Sequence, residues 1–244
     1  MKPSRTLATA GRVLSQIRHD PRTVGLLLVV PSVLIGLIAW LFSDTPVFDQ
    51  IGPAILALFP FTIMFLITSI ATLRERRSGT LERLLAMPIG KLDFILGYAL
   101  AFGLLAILQA TIAVSFAVWV CGLSIEGSIW LLLAVAVADA ILGTTLGLLA
   151  SAFAQTEFQV VQFMPILVFP QILLGGIFLP RDAMPDVLEA ISDWLPLSHA
   201  IDALNAVAGD TEDAGYVGVQ LLIIAAFVIG FIVLGSVTLR RRTP

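Results

Sequence analysis

Long apolar stretches alternate with short polar ones along the chain, and this alternation predicts six membrane-spanning helices. The predicted spans are 23–42, 51–73, 94–120, 129–154, 158–178 and 216–239. Each is long enough to cross about 30 Å of hydrocarbon as a helix. The sequence lacks the alternation with a period of two residues that is typical of a membrane barrel. We therefore expect an all-α integral membrane protein with one transmembrane domain over residues 1–244.

The residues before the first span, 4–20, have the pattern of an amphipathic helix. Apolar side chains recur at helical spacing, at Leu7, Ala10, Val13, Leu14 and Ile17. A basic amphipathic helix ahead of a span is typical of a helix in the membrane interface, and a frayed basic tail is the alternative. The next apolar run has about 20 residues and no clear small-x-small site, so we interpret it as a retained span rather than a signal peptide.

The predicted outer loop, 179–215, is too long for a simple turn. Apolar residues at helical spacing predict two short helices, at 185–191 and 197–208, that lie on or dip into the outer leaflet. The fifth span carries Pro165 and Pro170, each of which removes a backbone donor. We expect this span to be the most deformable, although a tolerated kink is an equal alternative at any one proline.

Charge is sparse and strongly segregated. The chain is 58% hydrophobic and 13% charged, whereas a soluble domain has about 25% charged residues. Thirteen of the fourteen basic residues fall on one predicted face of the membrane, with Arg181 on the other. This positive-inside pattern predicts cytoplasmic termini, and Trp40, Trp119, Trp130 and Tyr216 at predicted outer span ends agree with it.

Several kinds of chemistry are excluded by the sequence. It contains no phosphate-binding loop, no zinc-protease helix and no nucleophile elbow. Cys121 is the only cysteine, and the two histidines are predicted on opposite sides of the membrane, so no metal site and no catalytic residue is expected. A nucleic-acid partner is not expected either.

Two spans carry polar or small residues of interest. Gln109 and Asp139 lie near the middle of the third and fourth spans, where an ionisable group is costly and becomes a functional candidate. A packing role for Asp139 is an equal alternative. Gly143, Gly147 and Ser151 follow a small-xxx-small spacing, which predicts a close helix contact.

The segment 74–91 between spans two and three has the densest charge in the chain. Its sequence from Glu75 to Pro88 resembles the E-R-E-x-G-T-L-E-x-L-L-x-x-P signature of ABC transporter permeases of the type-2 exporter family. Further similarities cover the fourth-span exit and the outer loop, with Arg77 standing where an acid is frequent and Ser198-His199 where Thr-Tyr is frequent. On composition alone, the alternative is a charge cluster that binds anionic lipid.

The resemblance implies a permease that dimerises, most simply with a second copy of itself, above two separate ATP-binding subunits. ATP and Mg would bind those subunits, and this chain would carry no cofactor. Segment 74–91 would form a cytoplasmic coupling helix against the ATPase. Its coupling residues would be Glu75, Arg76, Ser78, Gly79, Thr80, Leu81, Glu82, Leu84 and Leu85.

The function implied is ATP-driven export of a hydrophobic or amphiphilic substrate, such as a drug or a lipid-like molecule, across the plasma (inner) membrane. The assembled complex would hydrolyse ATP, although this chain has no ATPase site. Candidate residues of the substrate path are Phe61, Phe65, Gln109, Asp139, Phe169 and Gln171. Ordinary packing is the alternative for each phenylalanine. An ion-coupled secondary transporter that uses Asp139 is the alternative function.

Overall fold

The computed structural model describes residues 3–77, 91–209 and 213–238, which form helices joined by short connections. We number the described helices in chain order: α1 (Pro3–Arg18), α2 (Pro21–Leu41), α3 (Val47–Arg77), α4 (Lys91–Ser115), α5 (Ile129–Phe153), α6 (Glu157–Leu167), α7 (Phe169–Leu174), α8 (Asp186–Ser192), α9 (Pro196–Ala208) and α10 (Ala214–Thr238). A π-helical turn, Phe116–Val120, extends α4, and a 3₁₀ turn, Arg181–Ala183, precedes α8.

Six of the described segments are long and apolar enough to cross a membrane: α2, α3, α4 with its π turn, α5, α6 with α7, and α10. The predicted number of spans is therefore confirmed. The end of the bundle where α3 terminates carries Arg74, Arg76 and Arg77, and we call it the basic end.

The boundary between α1 and α2 follows from a helix cap. Thr23 donates its backbone N–H to the Asp20 carboxylate at 3.2 Å and its hydroxyl at 2.6 Å. Pro21 occupies the first turn of α2, where its missing N–H costs no helical hydrogen bond. The first span consequently starts two residues before the predicted residue 23.

The fifth span is divided rather than continuous. Helix α6 ends at Leu167 and α7 begins at Phe169, with Val168 between them. Pro170 lacks the N–H group that would bond to the Ile166 carbonyl oxygen across this point, which explains the break. The predicted span 158–178 thus corresponds to two short helices that end at Leu174.

The centre of the bundle is the pairing of α3 with α5. Phe61, Met64 and Phe65 of α3 are fully buried there, together with Leu132 and Val135 of α5. Burying side chains of this size removes most of the apolar surface of α3 from the lipid or from water. Helices α2, α4, α6, α9 and α10 pack against one or both members of this pair.

Helix α9 lies inside the bundle and not on its surface. It packs against α3, α5 and α10, and eleven of its thirteen residues are buried. By contrast, Val187 on α8 is 72% exposed. The sequence predicted two comparable short helices on or in the leaflet, and the structure separates an exposed α8 from an enclosed α9.

Candidate coupling site

Three consecutive charged residues lie in the last turn of α3, just before its final residue Arg77, and each bonds to a different helix. Arg74 reaches α6, Glu75 reaches α1, and Arg76 reaches α5. Successive side chains of a helix point about 100° apart, so three consecutive polar residues can reach three different neighbouring helices. We call these three residues and their partners the α3 hub.

The contact between α3 and α1 is the most enclosed part of the hub. Arg12 donates to the Glu75 carboxylate at 3.1 Å, and Gln16 donates to the same carboxylate at 2.9 Å. The Arg12 and Glu75 side chains are 29% and 15% exposed. A half-buried pair of this kind is screened less by salt than a surface pair.

Helix α4 joins the same contact through Tyr98. Arg12 donates its Nη2 to the Tyr98 hydroxyl at 2.9 Å, and its guanidinium lies 5.9 Å from the centre of the Tyr98 ring. Tyr98 is buried and its ring packs against Phe94 at 4.4 Å between centroids. One arginine of α1 therefore links the last turn of α3 to the first turns of α4.

Helix α1 packs against α4 with the two backbones close together at Gly97. A Cβ built on Gly97 would meet the Thr9 Cβ at 2.6 Å and the Thr6 carbonyl oxygen at 3.1 Å. Only glycine leaves room for a helix at this distance. The ends of α3 and α4, which bracket residues 78–90, are thus both held by α1.

The other two hub contacts reach the second half of the chain. Arg74 pairs with Glu157 through two bonds of 2.8 and 3.0 Å, and both side chains are about half exposed. Arg76 donates to the Ser151 carbonyl oxygen at the end of α5. Displacing the end of α3 would therefore pull on α1, α5 and α6 together.

The predicted coupling residues fall partly outside the described residues. Glu75 and Arg76 belong to the hub, whereas Ser78, Gly79, Thr80, Leu81, Glu82, Leu84 and Leu85 lie outside the described residues. The sequence named Glu75 and Arg76 as coupling residues, and this role stays a prediction. Within the chain, both side chains make contacts with other helices.

The predicted packing glycines lie at the α3–α5 contact. A Cβ on Gly143 would meet the Phe61 carbonyl oxygen at 2.4 Å, and one on Gly147 would meet the Phe65 carbonyl oxygen at 2.6 Å. Ser69 also donates to the Gly147 carbonyl oxygen at 3.1 Å. The small residues let two helix backbones touch, as small-xxx-small spacing does in membranes.

The candidate path residues have separate environments. Phe61 and Phe65 are fully buried between α3 and α5, so within this chain they serve packing. Gln109 donates to the Leu27 carbonyl oxygen at 3.0 Å. Gln171 donates to Leu167 and accepts from the Leu197 N–H, which joins α7 to α9.

Asp139 and Phe169 complete the set of candidate path residues. Asp139 is fully buried, and neither carboxylate oxygen has a hydrogen-bond partner among the described residues. Phe169 is 49% exposed, the largest exposure of the six. Five of the six side chains are therefore buried within the chain, and Phe169 is half exposed.

Sequence reasoning missed the α1 side of the hub. Arg12 and Gln16 are spaced i, i+4 on the polar face of α1, so they point the same way. That spacing was visible in the sequence, but nothing in it identified Glu75 and Tyr98 as their partners. Sequence reasoning also missed the ion pairs of Arg181 with Asp193 and Asp202 at the opposite end.

Comparison with known proteins agrees with this architecture. The sequence-family model of the ABC-2 type transporters matches residues 5–208. The chain is 26% identical over 196 residues to ABC transporter G family member 20 of Dictyostelium discoideum, a match that covers 80% of this chain and 27% of that protein.

Two bacterial relatives from Escherichia coli strain K12 are also similar. The probable multidrug ABC transporter permease YbhR is 29% identical over 155 residues, covering 64% of this chain and 42% of YbhR. The inner membrane transport permease YhhJ is 27% identical over 146 residues, covering 59% of this chain and 39% of YhhJ. The chain spans less than half the length of each of these three relatives. Because the family model covers most of the chain, the protein belongs to the ABC-2 type transporter family, and the family indicated by residues 75–88 is confirmed.

Proposed function

We propose that this chain is the permease subunit of an ATP-driven exporter, and that residues 78–90 receive the motion of a separate ATP-binding subunit. Family membership makes the chain a membrane subunit of an ABC transporter. The observation that supports the coupling role is the α3 hub, which lies immediately before residue 78. A push on this segment would reach α1, α5 and α6 through Glu75, Arg76 and Arg74.

The exported substrate in this proposal is hydrophobic or amphiphilic, and it passes between two copies of the chain in the plasma (inner) membrane. Relatives named as probable multidrug permeases support this substrate class. The spans α2, α6 with α7, and α10 bury the smallest share of their side chains within the chain. A second copy packed on α2 and α7 would place the half-exposed Phe169 at the interface.

The test is reconstitution of the chain with its ATP-binding subunit in proteoliposomes. Bulky replacements Gly79→Trp and Thr80→Trp should abolish co-purification of the two subunits, because they would block docking. Glu75→Lys should leave co-purification intact but abolish ATP-driven transport, because it places a second cation against Arg12. Glu189→Lys, an equal charge reversal on the exposed α8 at the opposite end of the bundle, is the matched control. Unchanged transport in all three coupling variants would contradict the assignment of residues 78–90 to coupling.

An ion-coupled carrier that uses Asp139 is the second candidate, favoured by the complete burial of an acid without a described partner. In the exporter, transport requires ATP hydrolysis, and it continues in Asp139→Asn and when an ionophore collapses the ion gradient. In the ion-coupled carrier, transport continues without ATP hydrolysis, and it stops in Asp139→Asn and when the gradient collapses. A transport assay with fluorescent amphiphiles separates the two candidates.

A further inference from the structure

A cavity of about 410 Å³ opens beside the α3 hub, between α1, α2, α3 and α4. We propose that it binds the headgroup and the upper part of one acyl chain of a phospholipid with a zwitterionic phosphoethanolamine headgroup, taken from the leaflet at the basic end. The volume falls within the roughly 300–1,000 Å³ of ordinary ligand pockets. This proposal rests on the cavity and its charges and does not depend on export.

The cavity is apolar on the side away from the basic end. Its apolar wall includes Leu26, Leu66, Ile67, Ile70 and Phe102. Leu66 lies eight residues before Arg74 on α3, about 12 Å deeper at a rise of 1.5 Å per residue. Leu26 lies six residues beyond Asp20, about 9 Å deeper. An acyl chain that enters from the basic end therefore meets hydrocarbon surface along its length.

The mouth presents one acid and one base of the right kinds for a zwitterion. Asp20 and Arg74 both line it. The hydrogen bonds from Thr23 hold the pKa of Asp20 below its usual range, with a further contribution from the charge of Arg74. The Asp20 carboxylate is thus ionised at neutral pH. It lies within electrostatic reach of Arg74, yet among the described residues it forms no ion pair within 4 Å.

Both groups keep bonding capacity for a ligand. Arg74 uses Nε and Nη2 for Glu157, and its Nη1 has no partner in the part of the chain that the structure describes. Thr23 donates one bond to each oxygen of Asp20, and a carboxylate oxygen can accept two. A lipid ammonium fits Asp20, and the adjoining phosphate fits the free Nη1 of Arg74.

The charged side chains that line the cavity favour a headgroup with an ammonium group. They are Asp20, Arg74 and Glu75, of which Arg74 pairs with Glu157 and Glu75 with Arg12. Asp20 is the lining acid that has no ion pair within 4 Å among the described residues. A headgroup with an ammonium satisfies it, whereas a phosphoglycerol headgroup adds a negative charge without a cation. A bound phosphoethanolamine lipid would contact α1, α2, α3 and α4, the four helices that line the cavity.

The experiment uses the full chain in nanodiscs of phosphatidylglycerol that contain a trace of phosphatidylethanolamine with a photoreactive acyl chain. Adducts mapped by mass spectrometry are expected on Leu26 and residues 66–71. Ala71→Phe fills the cavity and should abolish these adducts. Asp20→Asn keeps the helix cap but removes the charge, so it should lower the yield about tenfold, the equivalent of one charge-assisted hydrogen bond. Val33→Phe, on an exposed face of α2 away from the cavity, is the matched control and should change nothing.

Competition identifies the ligand. Unlabelled phosphatidylethanolamine should displace the probe, and glycerophosphoethanolamine, the same headgroup without chains, should not. A photoreactive phosphatidylglycerol that labels the cavity equally well would overturn the headgroup assignment. Adducts unaffected by Ala71→Phe and spread over the exposed face of α2 would overturn the site itself.

Discussion

At the scale of single residues, the charges at the end of α3 are bound within the chain before any partner arrives. Glu75 accepts from Arg12 and Gln16, and Arg76 donates to the end of α5. Leaving a partly buried charge without a partner is costly, so these contacts fix the position of the last turn of α3. They tie the last turn of α3 to α1 and α5.

The Arg12–Glu75 pair should contribute more to stability than the Arg74–Glu157 pair. A double-mutant cycle with Arg12→Ala and Glu75→Ala should give a coupling energy of about 1–2 kcal/mol, because hydrogen bonds to charged groups are strong and the pair is only partly exposed. The cycle with Arg74→Ala and Glu157→Ala should give about 0–1 kcal/mol, because both side chains are about half exposed. Thermal unfolding of the purified protein measures both. Equal coupling energies would contradict the assignment of the hub.

Arg181 should set how stability depends on pH at the opposite end. It pairs with Asp193 and with Asp202, and Asp202 is largely buried. Burial raises the pKa of Asp202, and the charge of Arg181 partly offsets this. Removing Arg181 therefore raises the pKa of Asp202 further. The folded state then binds a proton more tightly than the unfolded state, so stability is highest below the ordinary pKa of aspartate and falls as pH rises.

We accordingly expect the Tm of Arg181→Ala to fall more steeply than that of the unmodified protein as the pH rises above about 4, the ordinary pKa of aspartate. The charges of Asp193 and His199 also act on Asp202 in both proteins. The double variant Arg181→Ala/Asp202→Asn isolates Asp202, because it should lose the excess slope. An unchanged slope in Arg181→Ala would show that Asp202 is paired elsewhere.

At the scale of elements, the α3–α5 contact depends on glycine. Gly143→Ala places a methyl group 2.4 Å from the Phe61 carbonyl oxygen and should cost about 1–3 kcal/mol, as overpacking usually does. Gly230→Ala on α10 is the matched control, because nothing lies within 4 Å of its Cβ. It should be neutral or should stabilise the helix by about 0.5–1 kcal/mol. Thermal unfolding compares the two, and equal effects would mean that the helices are not in contact at Gly143.

The six spanning helices could be predicted from the sequence, because a run of about 20 apolar residues has the length of a helix that crosses a membrane. The break at Val168 was visible as two prolines, although its position between α6 and α7 was not. The burial of α9 could not be predicted, because an amphipathic helix packs equally well on lipid or on other helices. The partners of Arg12 could not be predicted either, since they lie 63 and 86 residues away.

At the scale of the whole molecule, the two ends of the bundle have opposite charge. Arg74, Arg76 and Arg77 mark one end, while Asp186, Glu189 and Asp193 mark the other. Positive charge is retained on the cytoplasmic side of a membrane, so we infer that the basic end, with the α3 hub, faces the cytoplasm. This orientation is what a cytoplasmic ATP-binding subunit requires.

Cysteine labelling tests the orientation. In a Cys121→Ala background, Val187→Cys on the exposed face of α8 should react with a membrane-impermeant maleimide on intact cells. Ser15→Cys on α1 should react only after the membrane is permeabilised, because it lies at the basic end. Cys121 itself should react slowly, because burial raises the pKa of its thiol and the thiolate is the nucleophile. Equal labelling of both variants in permeabilised membranes is the control. Labelling of Ser15→Cys on intact cells, with Val187→Cys protected, would show that the basic end faces outward. A cytoplasmic ATP-binding subunit could not then contact the α3 hub.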